Sequence, residues 1–155
     1  MNLGILFLHH TNNEVVLQNL ESIARRNPEA TIITMGDGLP LPGGYSIAKT
    51  PALAKFHAQN KARSSDWLVC SWFEQRRETF DKLWICEWDT YCTVSVAEFY
   101  GPVWDFPFVA TCVVRQDREP SWYWFSHVCE MPDGYRDYAM GASPFLYLVS
   151  EAALA

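Results

Sequence analysis

Three features of this sequence predict an α/β fold with a mostly parallel central sheet: an unbroken apolar run at residues 3–8, a helix-start signal just after it, and a second apolar run at residues 31–35. A run without polar alternation marks a strand buried on both faces, as in the middle of a parallel sheet. Strand, helix and strand within a few dozen residues make a βαβ unit with a right-handed crossover. Sheets of this kind gather ligands at the carboxyl ends of their strands.

The first run leads into His9, His10 and Thr11. Thr11-Asn12-Asn13-Glu14 reads as a capping box, so a helix is expected from there to about Arg26, where Asn27-Pro28 stops it. Val16, Leu20 and Ile23 fall on one face of that helix. The second run ends in Gly36-Asp37-Gly38. Residues 39–51 are rich in Pro and Gly and read as a loop, and residues 52–62 have room for a short helix. Ser64-Ser65-Asp66 caps a helix running through Arg77, with Leu68, Val69, Trp72 and Phe73 as its apolar stripe and Arg76 and Arg77 at its end. Further on, residues 93–100 read as a brief helix closed by Gly101, and residues 106–114 as an apolar strand. Residues 115–141 have no clean periodicity. Ser143-Pro144 is a good cap and first-turn pair for a last helix over residues 145–154.

The stretch with the most chemistry is Lys82-Leu83-Trp84-Ile85-Cys86-Glu87-Trp88-Asp89, a short apolar strand that ends on two acids. Side chains alternate along a strand, so Glu87 and Asp89 share a side and Trp88 faces the other way. Carboxylates this close repel one another unless a cation lies between them, and Mg²⁺ or Mn²⁺ with a substrate phosphate meets that need. A solvated acidic turn is the other reading of the same residues.

A chain of 155 residues suits a single domain, 1–155, with a sizeable core, and 49% hydrophobic with 19% charged residues is an ordinary globular composition. Seven Trp, seven Tyr and nine Phe are an excess that suits stacking on sugars and nucleobases as well as core packing. The net charge of −6 argues against a nucleic-acid backbone as partner, since there is no basic patch to displace its counterions. Five cysteines, odd in number and with no C-x-x-C pair, fit buried thiols in a reducing cytoplasm. The apolar amino terminus is too short for a membrane span and lacks the basic start of a signal peptide, so the expected location is cytoplasmic.

With its βαβ start, its arginine-bearing helix and its strand ending Glu87-Trp88-Asp89, the sequence from Leu3 to Val114 resembles the nucleotide-diphospho-sugar transferases, glycosyltransferases of the GT-A type, whose hallmark is a D-x-D or E-x-D at a strand end. The resemblance implies a Rossmann-like three-layer α/β/α sandwich. It divides the chain into a nucleotide-sugar-binding half, 1–114, and a short acceptor-side half, 115–155. It also implies a metal-dependent transfer of sugar from a nucleotide-diphosphate sugar donor to an acceptor hydroxyl of a glycan or glycoconjugate, in building a surface polysaccharide.

By that resemblance Asp89 holds the metal, Mn²⁺ or Mg²⁺, with Glu87 beside it or near the ribose. His9, His10 and Thr11 line the nucleotide pocket, Asp37 accepts hydrogen bonds from base or ribose, and Arg76 and Arg77 contact the diphosphate. Asp37 between glycines also reads as a plain turn, and the two arginines as cations favoured by a helix end. On the acceptor side Trp122 offers a sugar platform, and Asp133 or Glu130 is the general base, with Asp137 a further candidate. The histidine that completes the metal site in many relatives has no counterpart after His127. The alternative is a non-catalytic α/β nucleotide-sugar-binding or scaffold module.

Overall fold

The computed structural model describes residues 2–36, 41, 69, 72–76, 78–110, 113–115, 140–142 and 146–150. Their elements are β1 (Leu3–His9), α1 (Glu14–Arg26), β2 (Thr31–Gly36), β3 (Lys82–Glu87), α2 (Val96–Tyr100) with a 3₁₀ turn at Gly101–Val103, β4 (Phe108–Ala110), β5 (Val113–Arg115), β6 (Met140–Ala142) and β7 (Leu146–Ser150). Helical backbone is also present at residues 69 and 72–75.

One five-stranded sheet has the order β2-β1-β3-β7-β4, and β5 and β6 form a separate pair. The expected mostly parallel sheet is instead mixed. β1 pairs in parallel with β2 and β3, but β7 runs antiparallel between β3 and β4. This corrects the expectation of a helix over 145–154. The run Leu146-Tyr147-Leu148-Val149 fits either structure locally, and the open edge of β3 decides for a strand, pairing Cys86 with Leu146 and Leu83 with Val149. The single strand expected over 106–114 is likewise two short ones, β4 beside β7 and β5 beside β6.

All seven residues of β1 are buried, as its unbroken apolar run requires. Alternation sends Leu3, Ile5 and Phe7 to one face, where Val16 and Ile23 of α1 meet them together with Trp84, Cys86 and Leu148. Leu6 and Leu8 go to the other, with Met35, Leu83, Ile85, Val149 and the fully buried Trp72. Each such aliphatic side chain contributes roughly 1.5–3 kcal/mol by leaving water. Cys86 and Cys92 are free buried thiols, as expected for them.

The cap of α1 is Asn13, not Thr11: its side chain accepts from the Val16 amide at 3.1 Å, leaving the Thr11 carbonyl for another partner. The other end is stopped as expected at Asn27, whose backbone N–H bonds Ile23 and Ala24 carbonyls. Helix α2 is capped by Ser95 and shorter than the expected 93–100. At the amino end of β3, buried Lys82 donates from Nζ to the Phe106 carbonyl at 2.7 Å and so ties down the approach to β4.

Gly4 is a packing requirement. A Cβ there would stand 2.7 Å from Leu83 Cδ2 and 2.8 Å from Phe80 Cγ, both on buried side chains. Gly4→Ala is expected to cost about 1–3 kcal/mol by overpacking, read as a lower denaturant midpoint at unchanged slope.

Candidate functional site

The order β2-β1-β3 places a topological switch point between β1 and β3, because the chain leaves β1 toward β2 and returns on the opposite side. In open α/β sheets the crevice outside the carboxyl ends at such a point is where ligands bind. The register sets His9 of β1 beside Gly36 of β2, and Leu8 beside Glu87 of β3. The register thus brings His9–Thr11 and Glu87–Asp89 to the carboxyl ends of adjacent strands, about 4.8 Å apart.

β3 stops at Glu87, and Trp88 and Asp89 lie in a turn closed by a 3.0 Å bond from the Thr90 amide to the Glu87 carbonyl. Strand alternation therefore does not reach Asp89. The outcome for Trp88 still matches the expectation, since it packs against the core on the α1 face. Glu87 follows Leu83 and Ile85 in alternation and so belongs to the other face, half-buried, while Asp89 is exposed. Burial, and then the charge of Asp89, raise the Glu87 pKa above its ordinary value, with no cation or hydrogen-bond donor among the described residues to oppose them.

Two carboxylates in repulsion, all hard oxygen donors, fit a divalent cation of the Mg²⁺ or Mn²⁺ kind, which typically takes one or two carboxylates and completes its shell with water and phosphate. Among the described residues no group of three His, Cys, Asp or Glu side chains is assembled for a metal.

The raised pKa makes Glu87 a liability to the fold. Its charge destabilises the native state above the folded pKa; the penalty fades as pH falls through that value and is gone below the ordinary 4.5, where the unfolded chain is protonated too. Glu87→Gln is therefore expected to melt higher than wild type at pH 7 without metal, the gap closing below about pH 4.5. Thermal melts of both proteins from pH 4 to 8 check this; a variant that melts lower at pH 7 would contradict it.

His9 is 5% exposed, and its Nδ1 lies 3.1 Å from the Thr11 carbonyl. A carbonyl only accepts, so Nδ1 carries the proton and the neutral ring keeps a lone pair on Nε2. Burial lowers the His9 pKa, His10 adding to this and the Thr11 bond opposing it, which favours the neutral form. The ring stacks on Phe7 at 6.4 Å and occupies the space where a Gly36 Cβ would be. His10 is exposed and meets Trp88 edge to face, centroids 5.1 Å apart, so the segments that follow β1 and β3 touch beyond the strand ends.

Arg76 lies three residues before Thr79, whose carbonyl accepts from Asn2 just ahead of β1. Its guanidinium is 3.6 Å from the Phe73 ring centroid and donates to the Phe73 carbonyl at 2.5 Å. Asp37, Arg77, Trp122, Glu130, Asp133 and Asp137 lie outside the described residues.

Sequence reasoning missed Asn19, Ser22 and Gly36. Asn19 and Ser22 are buried on α1 and bonded to the segment after β3, and their signal was polar residues beside the apolar stripe Val16, Leu20, Ile23. Gly36 was legible only as a strand end.

No family model matches the sequence, and no curated protein matches it either. Among solved structures the chain is similar to the galactosyltransferase LgtC in complex with donor and acceptor sugar analogs, with a TM-score of 0.58 and 13% identity. An active-site mutant of LgtC gives the same TM-score and identity. The glycosyltransferase GlyE of Streptococcus pneumoniae TIGR4, in its apo form, aligns at a TM-score of 0.48 and 10% identity, over 34% of its length. The chain aligns over 96% of its own residues but spans 58% of the LgtC chain. No helix among the described residues is long and apolar enough to cross a membrane. The likeness to LgtC is one of fold: over the aligned residues this chain shares the α/β fold of that galactosyltransferase.

Proposed function

We propose that this chain is a metal-dependent glycosyltransferase that moves a sugar from a nucleotide-diphosphate donor to an acceptor hydroxyl. The observation that carries the reading is the mutually repelling Glu87 and Asp89 pair, set at the carboxyl end of β3 across the switch point from His9, His10 and Thr11. LgtC, which has the same fold, was crystallised with donor and acceptor sugar analogs.

Exposed Asp89 is the principal ligand of Mn²⁺ or Mg²⁺, and Glu87 the second. The cation, when bound, supplies charge that offsets the negative charge gathering on the departing nucleoside diphosphate. His9 presents its Nε2 lone pair to a donor group of the nucleotide, and His10 and Thr11 border the same pocket. Asp37 serves base or ribose. Arg76, three residues before the Thr79 carbonyl that Asn2 bonds at the amino end of β1, stands at the opposite end of the sheet from Glu87 and Asp89, so the expected contact of Arg76 and its neighbour Arg77 with the diphosphate is not kept. Beyond residue 114, Trp122 receives the acceptor sugar and Asp133, or Glu130, takes the proton of the attacking hydroxyl. The reading treats residues 1–155 as one domain, its sheet the middle of a three-layer sandwich, working in the cytoplasm on a glycan or glycoconjugate in building a surface polysaccharide.

The test is release of nucleoside diphosphate from a panel of UDP- and GDP-sugars, with water or simple glycosides as acceptors, in Mn²⁺ and in EDTA. Release that requires the metal supports the proposal. No release from any donor, under conditions where the protein is folded, would leave a binding module without catalysis.

A further inference from the structure

Helix α1 does more than cover the sheet. Buried side chains at its inner face hold the backbone that follows β3 at regular intervals. Asn19 Nδ2 donates to the Trp88 carbonyl at 2.9 Å, Ser22 Oγ accepts from the Cys92 amide at 3.2 Å, and Asn27 Oδ1 accepts from the Val96 amide at 2.8 Å. Asn19, Ser22 and Asn27 are 7%, 2% and 6% exposed; the Ser22 and Asn27 bonds are buried and the Asn19 bond is part-buried. Ser22 and Asn27 are fastened in turn to α1, through the Asn19 and Ile23 carbonyls.

Of these the Asn19 bond touches the acidic turn. In the turn from Glu87 to Thr90, the closing bond joins the Thr90 amide to the Glu87 carbonyl and leaves the central peptide, Trp88 C=O to Asp89 N–H, unused. That peptide is the one a turn can flip, and flipping it re-aims the residue that follows, Asp89. Its carbonyl is the atom Asn19 grips. Without that donor the carbonyl loses a bond made in a part-buried setting, and the central peptide is free to rotate.

We propose that Asn19 is a positioning residue of the acidic turn: it fixes the Trp88–Asp89 peptide so that the Asp89 carboxylate converges with that of Glu87 on one cation. The inference rests on the metal–diphosphate reading above and assigns α1 a part in it. Groups that hold metal ligands in place are worth about 10–100-fold in affinity when removed.

The test uses the full chain and Asn19→Ala, Asn19→Asp and Ser22→Ala, each checked for folding by circular dichroism. Asn19→Asp keeps the shape but cannot donate, and Ser22→Ala releases the next anchor while leaving the turn's own bond. Two readouts are taken: Mn²⁺ binding by calorimetry, and hydrogen exchange of the Thr90 amide in metal-free protein. The expected result is at least about tenfold weaker Mn²⁺ binding and faster Thr90 exchange in both Asn19 variants, with Ser22→Ala close to wild type. Wild-type exchange and affinity in the Asn19 variants, or an equal loss in Ser22→Ala, would overturn the proposal. Wild-type protein that binds no Mn²⁺ would overturn the functional reading instead, while Thr90 exchange, read without metal, still decides whether Asn19 sets the turn.

Discussion

Asp89→Ala is expected to abolish metal-dependent binding of a nucleotide sugar, a loss of about 100-fold or more, and not to lower the melting temperature. Both halves follow from its position. Asp89 is exposed in a turn beyond the end of β3, so truncating it opens no cavity. Its charge is nevertheless close enough to raise the pKa of Glu87, and removing it dissolves the pair. Calorimetry with UDP- and GDP-sugars in Mn²⁺ measures the first half and a thermal melt the second. Asp89→Asn is expected to behave alike, since an amide keeps the shape but not the charge. Glu87→Ala should weaken binding less, as the smaller contributor. If Asp89→Ala instead lowered stability and left binding intact, the acids would be a structural turn.

Gly36→Ala should damage fold and site together. Its backbone lies outside the left-handed region, so the conflict is steric: the new methyl would overlap Cε1 and Nε2 of His9. That ring cannot step aside cheaply. It is 5% exposed, its Nδ1 bonds the Thr11 carbonyl, and it stacks on Phe7. Either the ring leaves its seat or β1 and β2 move apart at the His9–Gly36 pair. The expected cost is about 1–3 kcal/mol, with weaker nucleotide binding because the Nε2 lone pair is displaced. A double-mutant cycle separates the two effects. Adding His9→Ala to Gly36→Ala removes the overlap and should recover stability, but not affinity for nucleotide. A Gly36→Ala protein that melts like wild type would contradict the account of this contact.

What could be read from the sequence was what local signals determine. The unbroken run of β1 announced a strand covered on both faces, and Asn27-Pro28 stopped α1 where expected. The acidic pair at the end of β3 was legible because two carboxylates close an otherwise apolar segment. What was not legible depends on partners far along the chain. Leu146–Ser150 is a strand because β3, some sixty residues earlier, offers it a hydrogen-bonding edge; by itself Ser143-Pro144 followed by apolar residues reads as a helix start. Asn19 meets the Trp88 carbonyl across 69 residues, and Gly36 answers to a ring on the neighbouring strand. Neither relation leaves a local pattern. The cap of α1 shows the opposite failure: Thr11 had the motif, but Asn13 stands where the helix begins.

The central claim is that the carboxyl ends of β1 and β3 form one site for a cation and a nucleotide diphosphate. Calorimetric titration of the wild-type chain with UDP- and GDP-sugars, in Mn²⁺ and after its removal by EDTA, tests it most directly. The account predicts binding of at least one donor in Mn²⁺ that disappears in EDTA and returns when Mn²⁺ is restored. Binding of equal strength in both conditions, or none in either, would contradict it.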